Sequence, residues 1–144
     1  MTATRRRSRS AGKRHQAREL ALRVLFQLES SNDDPDEVLS YHAAEGGATP
    51  EVAAFAGQLV HGVIANQEQL DAILGEASEH WKLKQMAKVD RIILRIAVFE
   101  LNIERQVPAK AAINESIELA KTFSGEEAGR FVNGILGRVA GATP

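Results

Sequence analysis

Val89-Asp90-Arg91-Ile92-Ile93-Leu94-Arg95-Ile96-Ala97-Val98-Phe99-Glu100-Leu101 is the densest apolar stretch of the chain, and its reading decides the fold. Val89, Ile92, Ile93, Ile96, Ala97 and Phe99 fall on one side of a 3.6-residue helix, with Leu94, Val98 and Leu101 on another. A helix apolar nearly all round belongs inside a bundle. The β-branched pair Ile92-Ile93 is the one place where a strand competes, but the helical period fits the whole of 85–104 better. Ile92 to Ile103, the part closest to a membrane span, is interrupted by Arg95, Glu100 and Asn102 and stays well short of the roughly 20 apolar residues a span needs.

Working outward, the other segments also carry helical signals. Ala17, Leu20, Ala21, Val24, Leu25 and Leu28 form an amphipathic stripe on a first helix from Lys13, which Ser30-Ser31-Asn32 ends. Asp34-Pro35 starts a second helix as N-cap and first-turn proline, and Gly46-Gly47 closes it. Thr49-Pro50-Glu51 starts a third, with Phe55, Leu59, Val60, Val63 and Ile64 inward, and a fourth covers about 67–77. His80-Trp81-Lys82-Leu83 reads as a connecting turn before the central helix. Pro108 and Ser124-Gly125-Glu126-Glu127 open the last two helices. The expectation is an all-α protein of about seven helices. A disordered basic arm over 1–12 leads into one domain over 13–144, with subdomains at about 13–80 and 81–140.

A chain of 144 residues, 44% hydrophobic and 26% charged, is one ordinary globular domain's worth of material. The absence of cysteine removes disulfides, Cys-based metal sites and thiol catalysis together. The net charge of −1 conceals a polarity. Residues 1–24 hold eight Lys and Arg against Glu19 alone, a net of +7; the remainder holds ten bases and eighteen acids, a net of −8. A basic end on an acidic body points to a polyanionic partner. No secretory signal or membrane segment is evident, so the expected location is the cytoplasm.

Catalysis finds little support. His15, His42, His61 and His80 lack the spacing of a helical metal site, and Glu115 with Glu118 reads as a solvated helix face. No phosphate-cradling glycine motif is present, so neither metal nor cofactor is expected. Gly125, Gly129, Gly134 and Gly137 are helix-spaced and read as sites of close packing. The informative group is Arg6, Arg7, Lys13, Arg14 and Arg18, of which Arg14 and Arg18 are i and i+4 and leave the same helix face. Because this charge runs into a helix, nucleic-acid binding is preferred over a solubilising tail. Leu22 and Phe26 form an offset apolar pair, either extra core or a patch for a partner. Lys82, Lys84, Lys88, Arg91 and Arg95 with Trp81 read as a solvated basic face.

These residues resemble a known family. Arg14-His15-Gln16-Ala17-Arg18-Glu19-Leu20-Ala21-Leu22 is similar to the arginine-rich opening helix of the NusB transcription antitermination proteins. The Val89–Leu101 stretch and Val107-Pro108-Ala109-Lys110-Ala111-Ala112-Ile113-Asn114-Glu115-Ser116-Ile117-Glu118-Leu119-Ala120-Lys121 resemble its central and penultimate helices. Phe131-Val132-Asn133-Gly134-Ile135-Leu136 resembles its closing motif. The resemblance implies two helical subdomains and a non-enzymatic role. That role is binding the boxA element of ribosomal RNA leader transcripts with the ribosomal protein NusE, inside an antitermination complex on RNA polymerase with other Nus factors. It implies RNA contacts at Arg14, Arg18, Lys121, Arg130 and Phe131, the last offering a stacking face, and NusE contacts at Phe26 and Asp90, with Leu22 beside them. His15 and Gln16 stand where the family often has further arginines, and the upstream Arg5, Arg6, Arg7 and Arg9 would supply the missing charge from the arm.

A related domain opens some ribosomal RNA cytosine methyltransferases; with no catalytic cysteine and no methyl-donor domain in these residues, the non-enzymatic form is expected. A homodimer burying the basic helix would use the Leu22/Phe26 patch. The competing reading is a non-catalytic helical protein-interaction module whose basic arm solubilises.

Overall fold

The computed structural model describes the backbone of residues 2–78 and 82–142 and the side chains of residues 12–78 and 82–141. Six α-helices run in order: α1 (Thr2–Leu28), α2 (Pro35–Glu45), α3 (Pro50–Ala77), α4 (Lys88–Val98), α5 (Ala109–Ser124) and α6 (Glu126–Ala142). A 3₁₀ turn, Leu83–Gln85, precedes α4, and a π-helical turn, Phe99–Glu104, continues it. No strand occurs among the described residues, so the all-helical reading holds.

Among the described residues the helix count is six, because the expected third and fourth helices are one. Asn66 sits where a break was read, yet its side-chain amide donates to the Gly62 carbonyl at 2.7 Å, one turn back, and no proline follows to interrupt α3. Helix α1 is assigned from Thr2, ahead of the start read at Lys13. Its opening residues hold arginine and alanine, good helix formers, and no proline. The side chains of the arm expected over 1–12, Arg6 and Arg7 among them, lie outside the described residues up to Ala11, as do His80 and Trp81 of the expected connecting turn.

The chain divides into two compact units, Met1–His61 and Gly62–Pro144. The boundary between these units falls inside α3. In the first unit, Ala17, Leu20, Ala21, Val24 and Leu25 of α1 are buried, with Val38 of α2 and Val52, Ala56, Leu59 and Val60 of α3. The caps hold α2 in place. Asp34 accepts from the Glu37 N–H, and Gly46-Gly47 ends the helix with the Ala48 N–H donating to Ala43 and the Gly47 N–H to Ala44. That pair of bonds needs a left-handed residue at Gly47, whose φ is 64°. Thr49 then caps α3 through its hydroxyl, which accepts from the Val52 N–H at 3.2 Å.

In the second unit α4 is enclosed: Ile92, Ile93, Leu94, Ile96, Ala97 and Val98 are all buried. The charged Arg95 among them is 8% exposed, and it survives there by gripping Asp71 of α3 through Nε–Oδ1 at 2.7 Å and Nη2–Oδ2 at 3.0 Å. Arg138 of α6 donates to the Ala77 carbonyl at 2.7 Å, satisfying the C-terminal end of α3. Ile64, expected inward, is 42% exposed. Among the helical glycines, Gly129 packs closely, whereas Gly134 and Gly137 face open space and Gly125 is the positive-φ residue ending α5.

Gly62 permits the closest approach. A Cβ there would lie 2.2 Å from Cζ of Phe99, the residue where α4 passes into the π turn. Gly62→Ala gains about 1 kcal/mol of helix propensity but meets an overpacking cost of about 1–3 kcal/mol, set here at the upper end by so short a contact. Urea denaturation should therefore show a net loss of stability. Adding Phe99→Leu should recover part of it.

Candidate functional site

The first unit carries the basic face on α1. Lys13 and Arg14 lie in its described part, but neither projects unaccompanied. The Lys13 ammonium sits 2.6 Å from Glu51, in the first turn of α3. The Arg14 guanidinium lies 4.9 Å above the centre of the Phe55 ring, one turn further along α3. An acid in the first turn of a helix is favoured by its dipole, so Glu51 suits α3 as well as Lys13. His15 approaches Glu19 at 3.0 Å within α1, and Gln16 is exposed.

Arg18 departs from expectation. It shares a face with Arg14, but this face turns toward the protein, and Arg18 is only 3% exposed. The i, i+4 spacing was read correctly while its direction was not: a stripe containing Ala17 and Ala21 leaves room for a long side chain to fold inward beside small ones. Among the described bases of α1, Arg23 is exposed, Lys13 and Arg14 are half-buried, and Arg18 alone is buried.

Leu22 and Phe26 separate in the same way. Leu22 is 3% exposed and belongs to the core, whereas Phe26 is 43% exposed. The paired patch read from the sequence reduces to one aromatic side chain. Tyr41 on α2, 58% exposed and edge-on to His42 with ring centres 5.2 Å apart, is a second exposed aromatic of this unit that the sequence reading missed. The signal was a lone tyrosine between helix caps, too weak to single out.

The second unit carries the other candidates. Lys121 ends α5, and its stem lies over Gly129 of α6, where a Cβ would come within 2.8 Å of Lys121 Cγ. Its ammonium is 3.7 Å from Glu118. Arg130 is exposed and Phe131 half-buried, one residue apart on α6. Asp90, in the first turn of α4, is 8% exposed. Asp90 and Phe131 both line an open cleft of about 370 Å³ with Met86, Ala87, Glu127 and Ala128. Of the basic residues read as a solvated face near α4, two are structural: Arg95 holds Asp71, and Arg91 donates to the Leu83 carbonyl at 3.1 Å. Among the described residues no group of three His, Cys, Asp or Glu side chains could hold a metal, and no helix is long and apolar enough to cross a membrane.

Such an arrangement defines a class: an all-helical protein with charged and aromatic side chains at its surface. The model of the NusB family matches residues 15–141, and the chain belongs to that family. It is 45% identical over 126 residues to the transcription antitermination protein NusB of Desulforamulus reducens, an alignment covering 88% of each chain. A solved structure of T. maritima NusB superposes with a TM-score of 0.82 at 32% identity, covering 90% of this chain and 91% of that one. A crystal structure of the antitermination factors NusB and NusE in complex with double-stranded RNA gives 0.82 at 26% identity, covering 91% and 98%.

The contrast between Leu22 and Phe26 is measurable. Leu22→Ala should cost about 2–4 kcal/mol of unfolding free energy, as a truncated core residue does. Phe26→Ala should stay within about 1 kcal/mol of wild type in the same denaturation experiment, because much of its ring is already in water.

Proposed function

We propose that the chain is a transcription antitermination factor that binds boxA-type single-stranded RNA of ribosomal RNA leader transcripts. It does so together with the ribosomal protein NusE, as part of an antitermination complex on RNA polymerase with other Nus factors in the cytoplasm. The observation carrying this reading is the net +7 of residues 1–24 flowing into α1, in a chain of the NusB family. The structural similarity to NusB held with NusE and RNA supports both partners.

In this reading phosphates are met by the N-terminal arginines, including Arg6 and Arg7, and by Lys13 and Arg14, with His15 and Gln16 beside them. Arg14 is pre-positioned by Phe55, which limits its rotamers before RNA arrives. Arg18 contributes from a buried place, supporting α1 more than touching phosphate. On the second unit, Lys121 and Arg130 meet phosphate and Phe131 stacks a base. Phe26 and Asp90 serve NusE, Phe26 through exposed ring surface and Asp90 through a carboxylate; Leu22 supports Phe26 from the core.

Phosphate neutralisation dominates such binding, so log affinity should fall with log salt at about 0.7 per phosphate held. Fluorescence anisotropy on a boxA-like RNA should show Arg14→Ala weakening binding several-fold and making the salt slope shallower, with the melting temperature little changed. An unchanged affinity and slope would remove α1 from the RNA site. A scrambled RNA in the same titration tests the sequence preference, and equal binding of both would return the chain to a protein-interaction module with a basic arm.

Glu51 gives a prediction of opposite sign. It competes with RNA for Lys13 across an exposed 2.6 Å ion pair, so Glu51→Gln should raise RNA affinity by about 2- to 5-fold at low salt. The gain should shrink as salt is added.

A further inference from the structure

The 3₁₀ turn Leu83–Gln85 is closed by its last residue in two ways. The Gln85 N–H donates to the Lys82 carbonyl at 2.8 Å, and the Gln85 side-chain oxygen accepts from the Lys82 N–H at 3.2 Å. Only the oxygen of a side-chain amide can meet an N–H, so the NH₂ of Gln85 is the end left for another partner. Gln85 lines the open cleft of about 370 Å³ in the second unit, together with Glu127 and Phe131 of α6. That volume lies within the range of small-ligand clefts, about 300–1,000 Å³. The cleft thus combines a donor of fixed sense, the exposed carboxylate of Glu127 as acceptor, and the half-buried ring of Phe131. Lys82 and Lys84, exposed next to Gln85 in the chain, and Arg130, exposed next to Phe131, flank these groups in sequence with positive charge.

We infer that this cleft is a nucleobase subsite selective for a keto base, uracil or guanine, and that Gln85 is the residue that selects it. A donor beside an acceptor is matched by a base edge carrying a carbonyl next to an imino N–H, as in uracil O4 with N3–H or guanine O6 with N1–H. Cytosine and adenine carry an amino group next to a bare ring nitrogen on that edge. The amino group would face the Gln85 NH₂ and the ring nitrogen the Glu127 carboxylate, and neither pair can bond. A phosphate is a poor occupant, since the cleft is lined by the carboxylates Asp90 and Glu127. A neutral ring meets no such repulsion and stacks on Phe131. The phosphates flanking that base are met by Lys82, Lys84 and Arg130, so the lysines read from the sequence as a solvated face join the RNA surface. The inference rests on the RNA reading above and adds the kind of base and the residue that chooses it.

The test compares uridine and cytidine RNA hexamers, which share one backbone, by fluorescence anisotropy on the full chain at one salt concentration. Wild type should bind the uridine hexamer about 3- to 10-fold tighter, the range of one or two neutral hydrogen bonds. Gln85→Glu keeps an oxygen to accept from the Lys82 N–H and exchanges the NH₂ for a second acceptor. Its added negative charge weakens both hexamers alike, so the ratio of affinities isolates the base edge. That ratio should fall to 1 or invert in favour of cytidine, while the circular dichroism melt stays close to wild type. In amide NMR of the wild-type chain, the uridine hexamer should shift residues 83–86 and 127–131.

A ratio near 1 in wild type, a ratio unchanged by Gln85→Glu, or uridine shifts confined to amides away from the cleft would overturn the inference. So would shifts at the cleft amides from NusE with none from the uridine hexamer, which would give the cleft to a protein. Arg14→Ala in the same titration separates this from the broader RNA reading. If it weakens both hexamers while wild type fails to distinguish them, the cleft assignment falls and the RNA reading stands. If the uridine preference and its loss in Gln85→Glu hold while Arg14→Ala changes nothing, the subsite stands and α1 leaves the RNA surface. If neither hexamer binds wild type, both readings fall.

Discussion

The second unit depends on how closely α3 can approach α4. Gly62 leaves the space that the Phe99 ring fills, and nine residues along α3 Asp71 grips one edge of the Arg95 guanidinium with both carboxylate oxygens. The two contacts run in opposite sequence directions along the two helices, which makes them antiparallel. A side chain at Gly62 would hold the helices apart, and losing Asp71 would take a bidentate carboxylate from the buried Arg95 guanidinium. With both satisfied, α4 can be apolar on nearly every face and still be enclosed. Its continuation as a π turn, ending at the left-handed Arg105 with φ 56°, follows immediately after the Phe99 contact.

The functional consequence is that the candidate contact groups sit on helices fixed from behind. Asp90 stands at the start of α4, one turn before Arg95 anchors it. Lys121 is laid over Gly129, so the ends of α5 and α6 share a surface on which Arg130 and Phe131 follow. On the first unit the same economy appears with opposite consequences for binding. Phe55 steadies Arg14, while Glu51 holds Lys13 in a pair that the proposed phosphate contact would have to replace. The basic face is therefore moderated by its own protein, which on the proposed reading leaves RNA binding to be strengthened by a second partner.

Much of this was legible in the sequence because caps and periodicity are local. Asp34-Pro35, Gly46-Gly47 and Thr49-Pro50 placed α2 and the start of α3 from residues whose backbone chemistry permits little else. The apolar Val89–Leu101 stretch placed the central helix. What the sequence could not supply were the decisions made by tertiary contact. Asn66 resembles a helix break until its amide is seen closing on Gly62. Arg14 and Arg18 are equivalent by spacing, and only packing sends one over Phe55 and the other inside. Leu22 and Phe26 likewise lie only about 40° apart around the helix, yet neighbours that no local pattern identifies bury one and leave the other exposed. The shared cleft of Asp90 and Phe131 joins residues 41 positions apart and is invisible without the fold.

The central claim is that RNA binding by this protein is completed by NusE. The direct measurement is the affinity for a boxA-like RNA and its scrambled control, at one fixed salt concentration, before and after adding saturating NusE. The account predicts that NusE tightens binding to the boxA sequence several-fold more than to the scramble. If NusE leaves both affinities unchanged, the account is contradicted, whatever RNA the basic helix holds alone.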